Sequence, residues 1–168
     1  HRRRYEFGLE RLSKIQNMTS LKAVIFDIDG TLPKTLSWVH LTTRVGGSME
    51  ENDAAFTAIA AGRISEAELK HRLIANWSMG GGASRGTFLK ILDEIPLRED
   101  AEEIVNYLKQ KGYFLCLMTG SFDLVAENVG GKLGIQDWYS NTKFVLNTAG
   151  ELSDIETYLD ENSTKVSQ

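Results

Sequence analysis

The stretch "KAVIFDIDGTLPK", Lys22 to Lys34, sets two carboxylates, Asp27 and Asp29, and then Gly30 directly after the apolar run Ala23 to Phe26. Such a run reads as a strand buried on both faces, as in a parallel sheet. Acids at the end of a buried strand are costly unless something pairs or uses them. Asp27 and Asp29 are two positions apart, so an extended chain points both to one side. Gly30 then permits a sharp departure. A second apolar run, "YFLCLM" at 113–118, leads into Thr119, Gly120 and Ser121.

Between these two runs the signals are helical. Ser48 with Glu51 and Ser65 with Glu68 form capping-box pairs. Leu69, Leu73 and Trp77 then line one helical face, and Phe88, Leu89, Leu92 and Ile95 suggest a further helix ended by Pro96. "MGGGASRG", Met79 to Gly86, reads as a flexible break between them. Residues 99–111 give the clearest helix: Ala101, Ile104, Val105 and Leu108 recur on one face, acids lead, lysines follow and Gly112 closes it. After the second strand, Ser121 reads as the N-cap of a helix bearing Leu124, Val125 and Val129, with its exit at Gly134. "KFVLNTAGEL", Lys143 to Leu152, reads as a short strand and a turn around Gly150. The order implies an α/β fold: a Rossmann-like parallel sheet, incomplete, with an inserted α-helical cap. The expected division is an N-terminal extension at 1–17, a core from 18–33 and 97–168, and a helical cap at 34–96.

Composition narrows the partners. Net charge is −4, but residues 1–17 sum to +3, so the remainder carries −7. An acidic body argues against nucleic acid as the main partner; Met18 reads as a start, with the basic residues before it an extension. No run approaches the ~18 consecutive apolar residues of a membrane span, and no secretory leader pattern is present. The single cysteine, Cys116, lies in an apolar run and reads as a small core filler, which fits a reducing, cytoplasmic setting.

Ligands of parallel α/β sheets bind at the carboxyl ends of the strands. There, one of the two carboxylates can attack a phosphorus centre while its neighbour moves protons. The negative pair calls for a hard counter-cation such as Mg²⁺. The Thr119 hydroxyl, the backbone N–H groups after it and the start of the next helix make a cradle for phosphate. An EF-hand is excluded, because Gly30 at its sixth position would put Ile25 at the first and Leu36 at the twelfth. The plainer alternative is that the acids cap a turn.

"VIFDIDGTL" resembles the first signature of the haloacid dehalogenase-like (HAD) hydrolases, and "FLCLMTGSF" resembles their second. Order and spacing are similar to the subfamily that contains phosphoserine phosphatase, over roughly residues 21–165. The resemblance implies a Mg²⁺-dependent phosphatase acting on a small phosphorylated metabolite. In that scheme Asp27 is the nucleophile that forms an aspartyl-phosphate, and Asp29 is the general acid and then base. Asp27 and the backbone carbonyl of Asp29 would hold Mg²⁺, and Thr119 and the Gly120 amide would bind the phosphoryl group. Lys165 falls where the family's charge-neutralising lysine is expected, or is an ordinary surface lysine. Arg72 falls where a cap arginine reads a substrate carboxylate, or is a solvated helix arginine.

Two departures qualify the resemblance. The family's fourth signature, an acidic loop after a later apolar strand, has no counterpart, since "LSDIETYLDE" at 152–161 lacks the preceding strand. The expectations that follow are a C-terminally truncated reading of a longer enzyme, an incomplete metal site, and strand 22–27 left as an exposed apolar edge. Leu36 stands where the phosphoserine enzymes place a glutamate that reads an amine, which argues against phosphoserine. Trp38, Trp77 and Phe88 are either the lining of a less polar pocket or core, and His40 and His71 are read as non-catalytic. A catalytically inactive HAD-like binding module, and a phosphotransferase or mutase of the same superfamily, stand as alternatives.

Overall fold

The apolar run at 23–26 does form a strand, β1 (Ala23–Phe26), and it pairs in parallel with β2 (Phe114–Phe122). The computed structural model describes residues 22–158. Residues 1–17 and Lys165, which figure in the expectations above, lie outside the described residues. Between β1 and β2 come α1 (Ser37–Arg44), α2 (Met49–Ala60), α3 (Glu66–Ser78), α4 (Arg85–Asp93) and α5 (Ala101–Gln110). Then follow α6 (Asp123–Leu133), β3 (Asp137–Leu146) and β4 (Leu152–Thr157). The sheet order is β1-β2-β3-β4, parallel except for the antiparallel β3–β4 hairpin. Among the described residues β1 is therefore an edge strand, as expected.

Parallel strands taken in the order β1-β2-β3 put their crossover helices on one face of the sheet. Lys109 Nζ of α5 donates to the Leu133 carbonyl of α6 at 2.6 Å, so the two helices lie side by side. They cover the face that carries Leu115 and Leu117. Ile25 and Met118, on the opposite face, are 59% and 48% exposed, which corrects the reading of the 23–26 run as a strand buried on both faces: no residue of β1 is fully buried. Cys116 on that second face is buried, and burial, helped by the charge of Asp137, pushes its thiol up to about 11. The core-filler reading of this cysteine holds.

The serine half of each expected capping box is present: the Ser48 and Ser65 hydroxyls accept from the Glu51 and Glu68 amides. The Ser48 amide, which a full box would give to Glu51, donates to Asn76 instead. Three further expectations need correction. Met79–Gly86 is not a free break: Ser84 caps α4 through the Thr87 amide, and the Arg85 and Leu152 amides bond the Gly150 and Ala83 carbonyls. A Cβ at Gly80 would run into the Val45 carbonyl, so close packing demands glycine there. Second, α6 has Phe122, not Ser121, as its N-cap, because β2 runs on to Phe122. Third, the strand expected near Lys143 begins earlier, at Asp137, because pairing with β2 rather than its own composition sets its start.

The four-helix block leaves and rejoins the sheet through adjacent segments. Pro33 and Leu97 form an antiparallel bridge, the Lys34 amide donates to the Pro96 carbonyl, and Lys34 pairs with Glu99 at 2.9 Å. The Lys34 ammonium holds the exposed Glu99 carboxyl below the usual carboxylate range.

Candidate active site at the carboxyl ends of β1 and β2

The local fold around Asp27 and Asp29 is set by Ile28. Its side chain is fully buried, and its carbonyl accepts from the Thr31 and Leu32 amides. Gly30 takes the turn at φ +79°. Anchoring Ile28 inward leaves its two acidic neighbours at the end of the strand, Asp27 exposed and Asp29 half-buried. The register Phe26↔Leu117 places Asp27 and Thr119 one and two residues beyond a common rung of adjacent parallel strands. Arg98, which the sequence did not single out, holds the turn from outside: its Nε donates to the Thr31 carbonyl at 2.9 Å and its Nη2 to that of Gly30 at 3.3 Å.

The two acids have different surroundings. Asp27 has a long, 3.5 Å contact from the Thr31 hydroxyl. Asp29 is held at both oxygens by Ser37: the amide donates to Oδ1 at 2.7 Å and the hydroxyl bonds Oδ2 at 2.8 Å. Ser37 is the first residue of α1, whose own N-cap, Leu36, offers no side-chain cap. Asp29 thus supplies the anion that a helix N-terminus favours. Ser37 Oγ lies 3.2 Å from Ser121 Oγ, at the end of β2. Ser37 was missed in the sequence because its partner is eight residues back and no capping pattern marks it.

At the end of β2, Thr119 is buried, and its hydroxyl accepts from the Ser121 amide at 3.1 Å. Pairing with β3 is interrupted between Thr119 and Phe122, which frees Gly120 and Ser121 from a regular ladder. A Cβ at Gly120 would meet nothing within 4 Å, so the space beside it is open. Asp123 follows as the first residue of α6; its Oδ1 accepts from the Leu124 and Phe144 amides, both at 3.1 Å, tying this end of β2 to β3. Burial raises its pKa, and those two hydrogen bonds act against the shift.

The donors here are all oxygens. Among the described residues no three of His, Cys, Asp or Glu converge on a metal position. Mg²⁺ is commonly held by one or two carboxylates with substrate phosphate and several waters. The weakly engaged Asp27 carboxylate beside the Asp29 main chain fits that habit as part of a shell.

Other expected residues lie elsewhere. Arg72 sits exposed on α3, with its Nε on Glu68 at 2.9 Å, and no described contact joins it to Asp27, Asp29 or Thr119. Trp77 and Phe88 are fully buried core. Trp38 is half-buried, 4.8 Å from the Trp77 ring and 5.5 Å from that of Phe122. His40 lies on α1, 3.9 Å from Glu94. His71 lines a groove of about 470 Å³ between α3 and β4, two strands away from β2. No helix among the described residues is long and apolar enough to cross a membrane.

The model of the haloacid dehalogenase-like hydrolases matches residues 21–152. The chain is similar to the probable phosphoserine phosphatase of Schizosaccharomyces pombe, 28% identical over 77% of this chain and 42% of that protein. It is 26% identical to the phosphoserine phosphatase of Methanocaldococcus jannaschii over 74% of this chain and 57% of that one. Among solved structures, one described as a substrate-bound phosphoserine phosphatase complex aligns with TM-score 0.60 and 23% identity, over 83% of this chain and 64% of its own. A HAD family hydrolase from Salmonella enterica serovar Typhi aligns with TM-score 0.62 at 17% identity, over 90% of this chain and 53% of its own. The structures share the fold, and the chain spans about half the length of the curated relatives it matches.

Proposed function

Because the chain belongs to the haloacid dehalogenase-like hydrolases, we propose that it is part of a phosphatase that transfers the phosphoryl group of a small monoester to Asp27 and then to water. The observation that carries this reading is the asymmetry of the two acids. Asp27 is exposed and weakly engaged, as an attacking oxygen must be, while Asp29 is held in one place beside it. An Asp27 oxygen attacks phosphorus in line with the leaving group. The bond from phosphorus to the ester oxygen breaks, and that oxygen keeps the electron pair and takes a proton from Asp29. Water then attacks the aspartyl-phosphate, gives a proton to Asp29 and releases phosphate, which restores Asp27. The Thr119 hydroxyl and the Gly120 amide hold the phosphoryl oxygens in the open space beside Gly120. The start of α6 stands behind them.

Mg²⁺, bound by the Asp27 carboxylate and the Asp29 backbone carbonyl, would supply the charge neutralisation that lets an anion approach a phosphate. Lys165 is proposed to add to that neutralisation. Helices α1–α4 form the cap, with Arg72 as the group offered to a substrate carboxylate. Leu36, half-exposed at the N-cap of α1, presents no charge to a substrate amine.

Hydrolysis of an aryl phosphate with Mg²⁺ by the full-length protein, compared with its Asp27→Asn variant, tests the reading: turnover is expected in this full-length parent and not in the variant. Near-normal turnover by the variant would contradict it. A second reading, a silent binding module of the same fold, makes the opposite prediction for the parent. Metal-dependent hydrolysis by the parent would eliminate it.

A further inference from the structure

We infer that Ser37 is the positioning residue for Asp29, fixing its carboxylate from the N-terminus of α1 and linking it through Ser121 to the end of β2. The inference rests on the phosphatase reading and goes beyond it, since nothing in that reading requires a residue of α1. Three observations carry it. Both Asp29 oxygens are taken by one residue, at 2.7 and 2.8 Å. Ser37 is 0% exposed, so no solvent molecule stands ready to replace its hydroxyl. The residues that follow the two serines, Trp38 and Phe122, pack ring against ring at 5.5 Å, and Phe122 stacks on Phe144 at 4.7 Å. The hydroxyl pair is thus braced by an aromatic contact one residue further along each chain.

The hydrogen inventory gives the pair a direction. Once Asp29 has given up its proton it accepts only, and Ser37 then spends its one hydroxyl hydrogen on it. Across the 3.2 Å between the serines, Ser121 is in that state the donor and Ser37 the acceptor. The chain then runs from Ser121 to Ser37 to Asp29. While Asp29 is ionised, Ser121 has no hydroxyl hydrogen left for a phosphoryl oxygen. The Thr119 hydroxyl, which accepts from the Ser121 amide, keeps its own hydrogen for that purpose.

Leaving-group chemistry separates positioning of the acid from general damage. An alkyl phosphate needs its departing oxygen protonated; a dinitrophenyl phosphate does not. With Mg²⁺ present, Ser37→Ala should lower kcat/KM roughly 10- to 100-fold for the alkyl ester, part of what a general acid contributes. The dinitrophenyl ester should change less than about 3-fold, and inhibition by inorganic phosphate should not change. Ser37→Thr, which keeps the hydroxyl, should recover most of the loss. An equal fall on both esters, or a gain on the alkyl ester, would overturn the inference. If the parent hydrolyses neither ester, the phosphatase reading fails and takes the catalytic role of Ser37 with it. The tether is then judged separately by the Ser37 amide proton. Asp29→Ala should shift that resonance upfield and speed its exchange, and an unmoved resonance would show that the tether does not exist.

Discussion

In the helical block, Asn76 accepts from the Ser48 amide at 2.8 Å and donates to the Ser48 carbonyl at 2.8 Å and to Asn52 at 2.7 Å. Asn52 and the Trp77 indole both donate to the Thr42 hydroxyl. At the strand ends, Asp29, Ser37 and Ser121 form a comparable chain, but it stops beside an exposed carboxylate and open space. Both regions bury polar side chains in an apolar setting. The first closes on itself, and every polar atom of the Asn76 side chain finds a partner, so it locks α1, α2 and α3 together. The second is left open on one side, where the proposed function seats a phosphate. A closed network is expected to act on stability and an open one on chemistry.

Substitutions that separate those two effects test the contrast. The largest effect is expected from Asp27→Asn: hydrolysis of an aryl phosphate should fall at least about 10³-fold, while the urea midpoint should hardly move. Asn76→Ala should do the reverse. It strands the Ser48 amide and the Asn52 carbonyl oxygen in a buried site, at a cost of about 3 kcal/mol, readable by urea unfolding. The rate should stay within a few-fold of the parent. A variant at Asn76 that lost activity without losing stability would break the comparison.

A smaller effect sits between the regions, at Asp123. Its folded pKa is raised, chiefly by burial, above the ordinary 3.8. The folded state therefore binds the proton more tightly than the unfolded state does. The stability from that proton is complete below the unfolded pKa and is lost as pH rises through the raised one. Asp123→Asn keeps an oxygen for the Leu124 and Phe144 amides but does not titrate. Parent stability relative to this variant should fall as pH rises from below 3.8 into the weakly acidic range; a rise would contradict the burial argument. The smallest effect concerns Cys116, which is buried and whose thiol burial pushes up to about 11. Iodoacetamide should label it slowly in the folded chain and rapidly in urea.

What could be read in the sequence follows from the range of the interactions. β1, β2, α5 and the two serine N-caps announce themselves through periodicity and through partners three or four residues away. The acids at 27 and 29 stand out because the apolar strand before them gives them no local use. Ser37, Asn52, Asn76 and Arg98 did not stand out. Each owes its role to partners at least eight residues away, and a lone polar residue in a helix looks the same whether it faces solvent or a buried neighbour. The extent of β3 was missed for a related reason, since strand pairing is a long-range fact. Ser121 does lie at the strand end, but its role differs from the one its residue type suggests. A serine suits a helix cap, yet here its amide and hydroxyl are committed to Thr119 and Ser37.

The most direct measurement is to find where the phosphoryl group goes. The full-length protein is incubated with an aryl phosphate and Mg²⁺, quenched, and reduced with borohydride, which converts an aspartyl-phosphate to homoserine, and the peptide spanning 22–34 is read by mass spectrometry. The account predicts homoserine at position 27, aspartate unchanged at 29, and no conversion without the ester. Conversion at 29, or hydrolysis of the ester with Asp27 never modified, would contradict it.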